Sequence, residues 1–241
     1  MPPSSIAAIL AQARRDGRPA LDEPLAKRVL AEYGLHVPQS AVVKTGEHVR
    51  AALEHLQAPL ALKLVSPDVL HKSDFGGVRL GLSQASEIQV CMDDMASRCA
   101  AAGFRLDGFL LEEMAPPGHE IVIGGFRDPS FGQIIMLGLG GVFVEILRDV
   151  AFRICPITNL DAQEMLDELQ GAALLRGARG GARVPDAVIT DALLAMGGEN
   201  GLLTQAADSI GELDINPLIV SAHGAVAVDA RLILTPETQP S

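Results

Sequence analysis

The sequence predicts an α+β protein of two lobes with a cleft between them. Three observations carry that expectation. Residues 21 to 103 mix short strands with amphipathic helices, the stretch after them is β-rich with frequent glycines, and composition shifts near residues 105 to 110. At 241 residues and 48% hydrophobic, the chain can fill one substantial core or two lobes. The expected division is a leader over 1–20, a small lobe with its opening helix over 21–107, and a large lobe over 108–241.

Taken in order, residues 1 to 20 hold Pro, Ser and Ala with a basic "ARRDGR" patch, and read as a loosely specified leader with room for one helix. "LDEPLAKRVLAEYGLHVP" is a helix with marked ends: Asp22 can cap it, Leu25, Val29, Leu30 and Tyr33 share a face, Gly34 suits the turn after it and Pro38 blocks continuation. "SAVVK" is a strand and "GEHVRAALEHL" a second amphipathic helix. "LALKLV" and "GVRLGL" are strands around the loop "VLHKSDFGGV", and "EIQVCMDDMASRCAAAG" is a helix ending at Gly103. "GFLLEEM", "HEIVIGGFRD", "GQIIMLGLGG" and "FVEILRDVAFRICPI" alternate in a way that suits an antiparallel sheet better than βαβ units. "TNLDAQEMLDEL" opens a helix capped by Thr158 or Asn159, "RGARGGARVP" is a loop, and helix resumes to about 208. Two strands, "IGELDINPLIV" and "GAVAVDARLIL", close the chain around the turn "SAHG".

Charge and composition narrow the function. Nineteen Lys and Arg against 30 Asp and Glu give a net charge of −11, which argues against a general nucleic-acid or acidic-membrane surface. The absence of Trp and the single Tyr remove stacking platforms for bases. A pocket can still be locally cationic, since screening acts over about 8 Å, and Lys63, Lys72 and Arg79 cluster around the glycine loop. Cys91, Cys99 and Cys155 show no metal spacing and read as reduced core thiols. No apolar run approaches the roughly 20 residues needed to cross a bilayer, and no secretory leader is evident, so a cytoplasmic protein is expected.

Four places can carry chemistry. Lys63 interrupts an apolar strand, where an unpaired ammonium is costly, so it either snorkels out or meets an anion such as a phosphate. The glycine turn that follows can aim backbone N–H groups at phosphate oxygens, or is an ordinary hairpin turn. In "ELDINP", Glu212, Asp214 and Asn216 fall on one face of a strand, and pairing through "SAHG" brings Asp229 opposite that row. Such hard oxygens suit Mg²⁺ finished by water and phosphates; the alternative is a solvated face. Glu112 and Glu113 end a strand before a Pro-Pro-Gly turn and Glu120, a hinge able to hold a nucleoside by backbone groups and a ribose by Glu120. His71 is either a loop histidine bonded to a carbonyl or a neutral imidazole able to accept a phosphoryl group, with a nearby ammonium to balance the transferring charge.

"ALKLVSPDVLHKSDFGGVRLGL", "LLEEMAPPGHEIVIGGFRDPSFGQIIMLGLGGVFVEILRDVAFRICPI" and "ELDINPLIV" with "AVDARL" together resemble the ATP-grasp domain of NDP-forming acyl-CoA synthetases. The likeness is strongest to the β subunit of ADP-forming acetyl-CoA synthetase, a relative of succinyl-CoA synthetase, and runs from about residue 20 to 235. It implies an ATP-grasp fold with a nucleotide cleft. Lys63 then contacts phosphate, and Phe75, Gly76 and Gly77 form the loop over the triphosphate. Glu112, Glu113 and Met114 form the hinge for adenine, and Glu120 binds ribose. Asn216 and Asp229 hold Mg²⁺, Asp214 lies beside the phosphohistidine path, and His71 is a second phosphoryl carrier. The implied reaction is acyl-CoA + ADP + phosphate ⇌ acid + CoA + ATP, completed by a CoA-binding α subunit in an α2β2-like hetero-oligomer. The glycine run at 138 to 141, Arg148 and Arg153 are implied to line the cleft. Two other readings keep the nucleotide: an ATP-grasp ligase joining carboxylates to amines or thiols, and a non-catalytic nucleotide-sensing domain. Neither needs the "HKSD" histidine.

Overall fold

The computed structural model describes residues 1–69, 72–141 and 149–236. Helix α1, Ser4–Arg15, buries Ile6, Leu10 and Ala13, one stripe at helical spacing, so the expected loose leader is in fact core-packed helix. The short strand β1, Ala20–Leu21, leads to α2, Glu23–Glu32, where the Asp22 carboxylate caps by accepting the Leu25 N–H at 3.0 Å. Val29 and Leu30 of α2 are fully buried, and Gly34 turns the chain with φ +87°. Next come β2, Ser40–Val43, and α3, Gly46–Leu53, capped by Thr45. Strands β3, Leu60–Val65, and β4, Val78–Leu82, flank the glycine loop. Helix α4, Ala85–Ala102, ends at Gly103 as expected, with φ +69° there.

Strand β5, Gly108–Glu113, is followed by β6, His119–Asp128, β7, Gly132–Leu139, and β8, Val150–Ile154. Helix α5, Asn159–Glu168, starts at a Thr158–Asp161 capping box. Two short helical pieces follow: α6, Ala172–Leu175, and a 3₁₀ turn at Ala178–Gly180. The helix expected to run to 208 is divided into α7, Asp186–Gly197, and α8, Leu202–Gln205. The break falls at Gly197, Gly198 and Gly201, where an added Cβ on Gly198 would sit 2.6 Å from the Leu194 carbonyl oxygen. Strand β9, Ile210–Ser221, is long, and the last segment is two strands, β10, Gly224–Ala227, and β11, Ala230–Leu234.

These elements divide into two compact units: Met1–Val37 with Pro116–Ser241, and Pro38–Ala115. The boundaries differ from the expected 20/21 and 107/108 for a topological reason. Strand β5 sits inside the sheet β2-β5-β3-β4, paired to both neighbours, so it cannot belong with the strands that follow it. Helix α2 packs its buried face into the core of the unit formed by Met1–Val37 and Pro116–Ser241, and so belongs to that unit. The sheet of the larger unit runs β1-β11-β9-β6-β7-β8, with β10 also on β9, and these strands pair antiparallel, as the glycine-rich alternation predicts.

In each unit, helices cover one face of the sheet. In Pro38–Ala115, Leu60, Leu62 and Leu64 of β3 pack with Ile88, Met92, Met95 and Cys99 of α4. In the larger unit, Ile121, Ile123, Leu213, Ile215, Leu218 and Leu232 join residues of α1, α2, α5 and α7. Strand alternation then places Lys63 and Glu112 on the face of the smaller sheet opposite Leu60, Leu62 and Leu64, and Glu120, Asp214 and Asn216 on the face of the larger one opposite Ile121, Leu213 and Ile215.

Candidate functional site: two sets of nucleotide-type residues

In the smaller unit, Lys63 meets an anion supplied by the chain itself. Its Nζ lies 2.6 Å from Glu112 Oε1, with side chains only 4% and 1% exposed. The register explains the meeting: Lys63 stands opposite Leu110 and Ala61 opposite Glu112, so the two charged residues are diagonal neighbours on one face. The residues after Glu112 are tied within the same unit. Glu113 N–H donates to the Gln39 carbonyl at 2.9 Å and Met114 N–H to the Pro59 carbonyl at 3.2 Å. The Glu113 carboxylate accepts the Gln57 N–H at 2.8 Å.

The glycine loop is held by its carbonyls. Gly76 and Gly77 spend their N–H groups closing the turn, on Ser73 O at 3.0 Å and Lys72 O at 2.6 Å. Arg98 of α4 donates to Phe75 O at 3.1 Å and Gly76 O at 2.9 Å, and Arg79 donates to Gly76 O at 3.2 Å. Asp94 pairs with both guanidiniums, at 2.7 Å to Arg98 and 3.3 Å to Arg79. A side chain on Gly76 would strike the Arg98 guanidinium, and its φ of +69° already demands glycine. Sequence reasoning noticed Arg79 but missed Arg98, which lies 22 residues beyond Gly76 and carries no local signal. His71 lies outside the described residues.

In the larger unit, the "DINP" strand behaves as its alternation predicts. Leu213 and Ile215 are buried, while Glu212 and Asn216 are exposed and Asp214 half-buried on the opposite face. Partners Ala227↔Leu218 and Ala230↔Ile215 share one register, which brings Asp229 level with Asn216. The Asn216 N–H donates to Asp229 O at 3.2 Å, and the Asp229 carboxylate accepts the Ala230 N–H at 2.8 Å. Among the described residues no group of three or more His, Cys, Asp or Glu is disposed to hold a metal, so Glu212, Asp214 and Asp229 do not form the carboxylate cluster expected from the strand pattern. Glu120 opens β6 opposite Ile219, exposed, with Gly140 pressed on its backbone. Gly140 donates to Glu120 O at 2.8 Å, and an added Cβ would lie 2.7 Å from Glu120 Cβ. Gly140→Ala should therefore displace the start of β6 and cost about 1–3 kcal/mol, read from the urea midpoint.

Several charged residues are held by partners within the larger unit. Arg153 pairs with Glu168 and Glu164 of α5, which holds the Glu168 carboxyl below the usual range. Arg148 lies outside the described residues. The buried Asp149 carboxylate, which sequence reasoning missed, accepts the N–H groups of Gln170 and Gly171 at 2.8 and 2.9 Å. The three cysteines are free thiols, as expected, and burial pushes Cys155 up to about 12. At pH 8 iodoacetamide should leave Cys155 unmodified in the native protein and modify it once urea unfolds the chain, read by peptide mass. Among the described residues no helix is long and apolar enough to cross a membrane.

The fold agrees with what known proteins offer for comparison. The family described as ATP-grasp domain matches residues 12–234. The chain belongs to the ATP-grasp family. Within it, the chain is 41% identical over 232 residues to the β subunit of acetate–CoA ligase (ADP-forming) II of Pyrococcus furiosus, covering 94% of this chain and 96% of that one. It is also 37% identical over 211 residues to acetate–CoA ligase (ADP-forming) I of Archaeoglobus fulgidus, covering 87% of this chain but 30% of that longer one. A solved structure of the dinucleotide-forming acetyl-coenzyme A synthetase 1 of Candidatus Korarchaeum cryptofilum, with coenzyme A and Ca-AMPCP, superposes with TM-score 0.88 at 38% identity over 95% of this chain and 99% of that one. Another structure of that enzyme, with coenzyme A and Mg-AMPPCP and its phosphohistidine segment pointing towards the nucleotide binding site, gives TM-score 0.80 at 37% identity, covering 95% and 100%.

Proposed function

We propose that the chain is the nucleotide-binding subunit of an ADP-forming acyl-CoA synthetase, an acid–thiol ligase, and moves a phosphoryl group reversibly between ADP/ATP and a histidine. The observation that carries this reading is the match over 94% of this chain and 96% of a chain named as a β subunit. The Archaeoglobus relative supports a partner, because the part similar to this chain makes up 30% of a single polypeptide with the same named activity. The partner is a CoA-binding subunit carrying the first phosphohistidine, in an α2β2-like assembly, and the acid is one that forms a CoA thioester. The compartment is the cytoplasm.

Each set of residues would hold a different part of the nucleotide. Lys63 takes the phosphates and the loop Phe75–Gly77 covers them, its Gly76 and Gly77 N–H groups being spent within the turn; the stretch Glu112–Met114 borders the base, and Glu120 takes the ribose hydroxyls. The N–H groups of Glu113 and Met114 are already committed, and Pro116 and Pro117 have none to offer, so the hinge donor falls to Ala115. Asn216 and Asp229 offer an amide and a carboxylate oxygen from adjacent segments, a hard donor pair of the kind Mg²⁺ takes when phosphates and water complete its shell. The ion, when bound, would neutralise charge on the phosphates.

His71 accepts the terminal phosphoryl group on a ring nitrogen as the bond to the bridging oxygen breaks and ADP leaves; the reverse step makes ATP. Asp214 would act beside that path, as the family resemblance implies. Such a transfer asks mainly for alignment and charge balance. Co-expression with the CoA-binding chain encoded in the same genome tests the whole. The complex should make ATP from ADP, phosphate and one of a panel of acyl-CoAs, and neither chain alone should. Turnover of ATP by this chain alone with an acid and an amine would overturn the reading in favour of a carboxylate–amine ligase.

A further inference from the structure

The Glu112 carboxylate is already committed. Strand alternation sets it on the same sheet face as Lys63, 1% exposed and 2.6 Å from Lys63 Nζ. The two residues that follow have their own commitments to Gln39, Gln57 and Pro59. Any base held at this hinge is thus read by backbone beyond the strand. We propose that Glu112 is a positioning residue for Lys63, acting on the phosphate end of the nucleotide and not on its base, an inference that rests on the nucleotide reading above.

The physical need is plain. A lysine ammonium is a compact, strongly hydrated charge on a flexible four-carbon stem, and its freedom is lost only when something fixes it. A buried ammonium without a counter-charge is also expensive, so the strand position of Lys63 requires an anion whether or not phosphate is bound. A carboxylate anchored on the central strand β5 supplies both direction and charge. It holds the ammonium aimed from one strand, where an arriving oxygen anion can share it. An amide at the same place can accept a hydrogen bond but balances no charge.

The test compares two ligands on the full chain by calorimetry in Mg²⁺: ADP, which carries phosphates, and adenosine, which does not. In Glu112→Gln, ADP affinity should fall about 10- to 100-fold, the range of a lost charge-assisted bond, while adenosine affinity stays within about twofold. Glu112→Asp, which keeps the charge on a shorter stem, should recover part of the ADP loss, and it keeps the test open should Glu112→Gln fail to fold. Equal losses for both ligands in a folded variant would make Glu112 a base contact and overturn the proposal. Unchanged affinity for both would leave the pair a structural feature alone and overturn it equally. Failure of the wild-type chain to bind ADP overturns the nucleotide reading, and the proposal with it.

Discussion

Replacing His71 with asparagine should lower coupled ATP formation by about 10⁴-fold or more while ADP affinity stays within about threefold. The size follows from the kind of step involved. A covalent relay has no partial version: when the group that takes the phosphoryl is removed, the intermediate cannot form and only unassisted routes remain. Asparagine keeps a comparable size and a hydrogen-bonding end, yet has no lone pair able to accept phosphorus at useful rates. The nucleotide contacts proposed above are other residues, from Lys63 to Asp229, so binding should survive. A loss of activity with a parallel loss of ADP affinity would assign His71 to binding and not to transfer. The check is a steady-state coupled assay of the complex beside calorimetry of the variant chain.

Lys63→Met should act on both stability and rate. The substitution keeps most of the apolar stem and deletes the ammonium, so Glu112, 1% exposed, loses the charge it faces at 2.6 Å. Removing one member of a buried ion pair costs about 3–5 kcal/mol, because the remaining charge stays desolvated. Function should suffer separately: deleting one preorganised charge aimed at transferring oxygens costs about 10²–10³-fold in kcat. The double variant Lys63→Met, Glu112→Leu separates the two effects. An apolar pair of similar volume in place of a buried ion pair is commonly neutral or better for stability. The double variant should therefore regain most of the denaturation midpoint and none of the rate. Recovery of rate along with stability would reduce Lys63 to a structural role.

Local features of the fold were legible, and features set by distant pairing were not. Asp22 caps α2 because a carboxylate stands directly before an apolar-periodic run, and Gly103 ends α4 for the same kind of local reason. The level placement of Asp229 and Asn216 was also readable, since the tight "SAHG" turn fixes the register of the strands on either side of it. The unit boundary was hidden, because nothing within "GFLLEEM" says that it pairs with residues 40–43 and 60–65. Helix α1 was underestimated because Pro3 precedes it and no side chain caps it, although Ile6, Leu10 and Ala13 mark its buried stripe. Likewise Lys63 announced its need for an anion, but the supply of that anion by Glu112, 49 residues away, is a product of sheet register.

The most direct test of a phosphoryl group carried on this chain is to supply the complex with Mg²⁺ and ATP labelled on its terminal phosphate, quench in alkali, and map the label. Phosphate should appear on the "HKSD" peptide, be lost in acid and retained in base, and be gone from a His71→Ala chain. Label of undiminished intensity on the His71→Ala chain, or label confined to the partner subunit at every time point, would contradict a relay through His71.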